Sequence, residues 1–220
     1  MKPFSKFNQL IWMLFSLAGV LVFARIIYSG SISSLFLVWN IFLAWIPFIL
    51  SCFFNYYRYK QKWKQAIIFI SWLLFFPNAL YIVTDLVHID RVSVVPWWYD
   101  VVLLFLSSLI GIVLGFVSLR KVEQFLLTYF TNRIVKPLIV LLLVLGSFGV
   151  YLGRFERWNS WDVVHNPFGL AVNIMQCIIN PIENYRVWGI TLLFSVTYAV
   201  LYFFMCNLPK AISELNNTGR

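Results

Sequence analysis

PLIVLLLVLGSFGVYL, Pro137 to Leu152, runs for 16 residues without a charge, between Lys136 on one side and Arg154 just past the other. A strand of a lipid-facing barrel would alternate apolar and polar residues, whereas this run is apolar on every side. It reads as a helix crossing a membrane. Runs of about 16 to 22 residues at 1.5 Å per residue approach or exceed the roughly 30 Å of a hydrocarbon core.

Five more runs of this kind extend from Gln9 to Tyr28, Leu35 to Phe54, Ala66 to Thr84, Val101 to Leu119 and Trp188 to Leu208. Across all 220 residues 61% are hydrophobic and 11% charged, where a soluble domain has about 25% charged. The expected fold is all-α: a polytopic membrane bundle of six transmembrane helices in a single domain, residues 1–220. Lys2 and Lys6 precede the first run, but it ends in ARIIYSG without a convincing A-x-A cleavage site, which favours a retained anchor over a signal peptide.

Short-loop basic residues set orientation. With the N-terminus cytoplasmic, Lys2, Lys6, Arg58, Lys60, Lys62, Lys64, Arg120, Lys121, Arg133, Lys136, Lys210 and Arg220 lie inside, 12 of the 17 Lys and Arg. Six of the eight acids then fall outside, so both termini are expected in the cytoplasm. The net charge of +9 follows from this partition and from contact with anionic lipid; no nucleic-acid partner is expected. The three cysteines, Cys52, Cys177 and Cys206, offer neither a disulfide framework nor a C-x-x-C metal motif.

The longest connection is the expected outer loop, residues 153–187. Within it FGLAVNIMQCII, Phe168 to Ile179, is apolar enough for a helix lying along the interface. Asn166-Pro167 and Asn180-Pro181 bracket it as turn signals. Trp97, Trp98, Trp158, Trp161 and Trp188 sit near expected outer ends, as in an aromatic belt. Pro47 and Pro77 predict kinks in the second and third spans, since each removes a backbone donor. Gly111 and Gly115 form G-x-x-x-G, read as internal close packing of the fourth span.

Polar residues gather at the outer ends. PNALYIVTDLVHI, Pro77 to Ile89, closes the third span with Asn78, Tyr81, Asp85 and His88; a continuing helix puts His88 on the face of Asp85, with Tyr81 one turn below. RFERWNSWDVVH, Arg154 to His165, follows the fifth span and carries Arg157, Asn159, Trp161 and Asp162. Asp85 lies 21 residues beyond Lys64, about 31 Å of helix, and Arg154 lies 18 beyond Lys136, about 27 Å. Their matched depth makes an ion pair conceivable; Arg25 and Asp100 arrive at similar levels on the first and fourth spans.

Three arrangements fit these residues. Two Asp-x-x-His pairs, Asp85 with His88 and Asp162 with His165, could converge on a divalent metal, although two histidines form a thin ligand set. Alternatively, Arg154 and Arg157 hold an anionic head group through their planar forks while Asp85 and His88 act as an acid/base pair. In the third, the charged residues are a clamp between helices, for carboxylates near the interface are cheap enough to need no function.

FPNALYIVTDLVHI, Phe76 to Ile89, PWWYD, Pro96 to Asp100, and YLGRFERWNSWDV, Tyr151 to Val163, together resemble a family of bacterial integral membrane proteins, domain-of-unknown-function family 1361. The resemblance spans most of the chain, from about the second span to the sixth. It implies a bacterial cytoplasmic-membrane protein and supplies no activity. It also implies recurrent roles for Pro77, Asn78, Tyr81, Thr84, Asp85 and His88, and for Gly153, Arg154, Arg157, Trp158, Asn159, Ser160, Trp161 and Asp162. His165 and Glu156 depart from the family pattern, which counts against the symmetric metal site.

The expectation is therefore a multi-pass plasma-membrane protein with membrane lipid as partner and an extracytoplasmic polar site for an anionic, lipid-linked envelope substrate. Asp85 and His88 would be catalytic; Asn78, Tyr81, Arg154, Arg157, Asn159, Trp161 and Asp162 would bind. No cofactor or metal is predicted. The rival reading is a transporter or a structural membrane protein in which the same cluster is a clamp.

Overall fold

The computed structural model describes residues 6–56, 61–88 and 94–218; for Asn55, Tyr56, Val87, His88 and Thr218 it describes the backbone alone. The helices are α1 (Lys6–Ser29), α2 (Leu35–Tyr56), α3 (Lys62–Tyr81), continued by a 3₁₀ segment (Ile82–His88), α4 (Trp97–Leu126), α5 (Asn132–Arg154), α6 (Asp162–His165), α7 (Pro167–Ile179) and α8 (Tyr185–Thr218). No strand occurs among the described residues. Six of the helices are long and apolar enough to cross a membrane. The chain divides into two compact units, Met1–Thr128 and Tyr129–Arg220.

The helices outrun the hydrophobic runs. α4 begins four residues before Val101 and ends seven after Leu119, and α8 continues past Leu208 to Thr218. Hydropathy marks where a helix leaves hydrocarbon, whereas backbone hydrogen bonding carries the helix on through polar residues. α1 stops at Gly30, whose φ of +64° suits a left-handed cap, and its N–H donates to the Ile26 carbonyl at 2.9 Å.

In the first unit α4 is the central element, buried along most of its length. α1, α2 and α3 each pack on it, whereas α1 and α2 barely meet. A shared core joins Ile11 and Ala18 of α1, Ala44 of α2, Ala79 of α3, and Leu106, Ile110 and Leu114 of α4. Gly111 is the point of closest approach: a Cβ there would stand 2.5 Å from the Ala79 carbonyl oxygen, and one on Gly115 3.1 Å from the Ala79 Cβ. The G-x-x-x-G pair thus packs inside the unit, where small residues let backbones meet. Deeper along the same contact, Trp72 is fully buried, stacks on Phe76 and donates its indole N–H to Ser118 Oγ at 3.2 Å.

The second unit is built on the pair α5 and α8. Val135, Ile139, Leu142, Leu143, Gly146, Val150 and Tyr151 form the buried stripe of α5, at the spacing of one helical face. On α8 the buried residues Val187, Thr191, Ser195, Tyr198 and Tyr202 repeat every three or four positions. The end of α5 packs on the start of α8, because Tyr151 and Leu152 cluster with Val187, and Cys177 of α7 joins them. The two long helices are therefore antiparallel.

α7 forms where the outer loop was expected to be helical. Asn166 caps it, accepting from the Gly169 N–H at 3.0 Å, and Pro167 occupies the first turn, where its missing N–H costs nothing. At the other end Asn184 donates to the Gln176 and Asn180 carbonyls and Trp188 to the Cys177 carbonyl at 3.2 Å. Carbonyls that would otherwise be orphaned are thus satisfied by the start of α8.

Candidate functional site

Asp85 belongs to the first unit, and Arg154, Arg157, Asn159, Trp161 and Asp162 to the second. Near Asp85 the backbone departs from expectation: the α-helix ends at Tyr81 and a 3₁₀ segment carries the chain on to His88. With about 3.0 residues per turn, Asp85 stacks over Ile82 rather than lying one α-turn above Tyr81. The change of pitch has local support. Thr84 Oγ1 donates to the Tyr81 carbonyl at 2.6 Å, and Ser108 of α4 donates to the Ile82 carbonyl at 3.2 Å. Non-helical backbone at membrane depth is tolerated where protein satisfies it.

Asp85 is only 3% exposed, and Asn40 of α2 donates to its Oδ2 at 2.9 Å. A buried carboxylate needs such partners to stay charged. Asn78 donates to the Phe75 carbonyl at 3.2 Å, one turn back on its own helix, and Tyr81 is half-buried at the end of α3. The His88 side chain and Asp90 lie outside the described residues, so the Asp85–His88 pairing expected from spacing does too.

The first unit holds a charged pair that spacing alone only hinted at. Arg25 of α1 and Asp100 of α4 form a forked ion pair, Nε to Oδ1 at 2.7 Å and Nη2 to Oδ2 at 3.1 Å. Arg25 Nη1 also donates to Ser33 at 3.2 Å, and the neighbouring Tyr99 hydroxyl donates to the Leu21 carbonyl at 2.7 Å. The ends of α1 and α4 are thereby tied at one level.

In the second unit the segment after α5 is a defined loop. The Phe155 N–H closes on the Tyr151 carbonyl and the Trp158 N–H on that of Leu152. Between them Arg157 takes a φ of +60°, a left-handed conformation that costs a non-glycine residue about 1 kcal/mol or more. Arg154 is half-buried as the last residue of α5, while Arg157 is exposed and has no ion pair among the described residues. Asp162 turns inward on the loop: its Oδ2 accepts from the Asn159 backbone N–H at 2.6 Å and from its amide at 3.4 Å. Asn159 and Asp162 are thus brought together, with Trp161 exposed beside them.

Sequence reasoning missed Glu156. Its carboxylate accepts from the Tyr151 hydroxyl at 3.2 Å and from Asn173 of α7 at 3.3 Å, joining α5, the loop and α7. The available signal was a polar residue, Asn173, on the half-buried side of a mostly apolar helix whose other polar residue, Gln176, is exposed. Behind this link, burial pushes the Cys177 thiol pKa up, and the Glu156 charge adds to the effect. Among the described residues no group of three or more His, Cys, Asp or Glu side chains is placed to share a metal ion; His165 is exposed at the end of α6.

The loop after α5 carries its acids on donors from Tyr151, Asn173 and Asn159 and leaves Arg157 outward, an arrangement suited to receiving an anion. No curated protein and no solved structure matches the chain. A family model does, described as protein of unknown function (DUF1361), over residues 39–201, a stretch that takes in α3, α4, α5, α7 and both polar segments. The chain is thus a multi-pass membrane protein that belongs to the DUF1361 family.

Proposed function

We propose that the protein resides in a bacterial cytoplasmic membrane with its lysine-rich ends inside, and binds an anionic, lipid-linked envelope substrate at the opposite side. The observation that carries this reading is the loop after α5. It holds an exposed Arg157 at positive φ while its acids, Glu156 and Asp162, are engaged by Tyr151, Asn173 and Asn159. A strained backbone that turns an arginine outward is expected where its fork serves a ligand, since guanidinium matches phosphate or carboxylate in a bidentate way. Arg154 and Arg157 are the anion holders, with Asn159 and Trp161 beside them. The exposed apolar side chains of α7, among them Phe168, Val172 and Met175, suit a helix in the interface where lipid head groups lie.

Should turnover accompany binding, Asp85 and His88 have the acid/base chemistry, with Asn78 and Tyr81 on the same segment. A second reading has its own support. The Asn40 bond to Asp85 is what an inter-helix clamp would use, and a structural or transporting role follows if Asp85 serves only that.

The test is lipid exchange into the full-length protein in nanodiscs, read by native mass spectrometry, with phosphatidylglycerol against phosphatidylcholine. Preferential retention of phosphatidylglycerol, lost in Arg157→Gln at unchanged thermal stability, is expected. Equal retention of both lipids, or a preference that survives the paired change of Arg154 and Arg157 to Gln, would overturn the proposal.

A further inference from the structure

The first unit contains a cleft that the polar residues do not touch. α1 and α2 both lean on α4 and scarcely meet each other, which leaves a groove of about 240 Å³ between them. α1 contributes Trp12, Phe15, Ala18, Gly19 and Val22, and α2 contributes Val38, Ile41, Phe42 and Trp45. On each helix these positions recur every three or four residues, so the groove is a designed pair of facing stripes rather than a gap at a loop. Aromatic rings frame it: Phe15 meets Trp45 edge-on across the groove at 6.4 Å and Trp12 meets Phe15 at 5.8 Å. Ala18, 3% exposed, lies at its base, and exposed Gly19 stands at its open edge, where a Cβ would touch nothing within 4 Å.

We infer that this groove is a binding site for a single acyl chain of a membrane lipid. Both helices cross the membrane, so hydrocarbon is what the mouth of the groove meets. No side chain lining it is charged or offers an amide or hydroxyl, which excludes a head group or a sugar. At about 30 Å³ for a group the size of a water or methylene, the space takes roughly eight methylenes, a segment of one chain. A partner helix or a second copy would need far more surface, since stable protein interfaces use about 20 to 30 residues a side. An unfilled gap forfeits dispersion contacts on every wall. An ordered chain recovers them. The site is independent of the anion-binding reading and stands or falls separately.

The experiment uses the full-length protein in nanodiscs containing phosphatidylcholine with a diazirine midway along one acyl chain, a zwitterionic probe that leaves head-group preference out of the result. After irradiation, adducts should concentrate on Trp12, Phe15, Phe42 and Trp45 relative to Phe23 and Ile27, exposed residues of α1 outside the groove. Gly19→Leu, at an exposed position where a Cβ meets nothing, places a side chain across the edge of the groove and should lower labelling there severalfold and leave Phe23 labelling unchanged. Val38→Trp, which closes the mouth from α2, supplies the same readout if Gly19→Leu does not fold. Labelling spread evenly over Phe23, Ile27 and the groove would mean annular lipid only and would overturn the inference; so would groove labelling unchanged by the filling variants.

Discussion

Arg25 grips Asp100 with both arms of its guanidinium, Nε to Oδ1 at 2.7 Å and Nη2 to Oδ2 at 3.1 Å, with each side chain little exposed, 14% and 11%. Removing one partner strands a charge in a poorly solvated place, which costs more than the pair itself contributes. Asp100→Ala or Arg25→Ala should each lower stability by about 3 kcal/mol, and the double variant by less than the sum. Arg25→Lys keeps the charge and loses the fork, so it should fall between. Thermal unfolding of the four proteins in one detergent, arranged as a double-mutant cycle, checks this; additive losses would show that the two side chains do not act together.

Gly111 and Gly19 predict opposite outcomes for the same substitution. A Cβ at Gly111 runs into the backbone of Ala79 at 2.5 Å, and one at Gly19 meets nothing. Gly111→Ala should destabilise by about 1 to 3 kcal/mol through overpacking. Gly19→Ala should be neutral or stabilise by up to about 1 kcal/mol through helix propensity. Midpoints of thermal unfolding monitored by tryptophan fluorescence distinguish them.

The bond from Asn40 to Asp85 separates clamp from acid. Asn40→Ala deprives a buried carboxylate of one donor and should cost about 1 to 3 kcal/mol. Asp85→Asn removes the charge at nearly constant shape. If Asp85 serves chemistry, Asp85→Asn keeps its melting temperature and its lipid complement changes; if it serves as a clamp, the melting temperature falls and the bound lipid is the same.

Cys177 should be slow to alkylate. Burial, with the Glu156 charge behind it, raises its pKa, and only the thiolate is nucleophilic. Between pH 7 and 9, roughly the range of an ordinary thiol's titration, maleimide should label buried Cys177 far more slowly in the folded protein than in the same protein unfolded in detergent. The sign for stability follows from the same direction. The folded state favours the thiol form, so this contribution is complete below the unfolded pKa and is lost as pH rises through the folded one. Equal labelling rates of Cys177 in the folded and unfolded protein, measured by peptide mass spectrometry, would contradict the burial.

Orientation has its own check. A phosphatase reporter fused after Gly153 should be active and one fused after Lys210 inactive, if lysine-rich ends face the cytoplasm. The reverse pattern would invert the proposed side of substrate binding.

The six spans were legible because hydrocarbon imposes one rule on every turn of a helix, and a run such as PLIVLLLVLGSFGVYL obeys it without reference to neighbours. Helix ends were not legible to the same degree, since α4 and α8 continue on hydrogen bonding after hydropathy has ceased to inform. The 3₁₀ turn at Ile82 depends on Ser108 reaching across from α4, a contact 26 residues away that no local pattern encodes. α7 was readable from two Asn-Pro signals and an apolar stretch between them. Glu156 was passed over because its meaning lies in Asn173 and Tyr151, which approach it only after α5 and α7 have folded together. Arg157 was singled out for its charge; its backbone conformation, which distinguishes it from every other arginine among the described residues, has no signature in composition.

The contact of Gly111 with the Ala79 carbonyl also limits how the first unit can move. Sliding α4 past α3 by one residue would drive Ile110 or Ile112 into a space that admits no Cβ, so the two helices must travel as a single piece. Along Gly19 α1 has open space in place of such a backbone contact, and it is anchored to α4 towards its far end by the Arg25 fork. Any opening within this unit would therefore be a swing of α1 about that end, widening or narrowing the cleft beside α2 while Asp85 and its helix stay still.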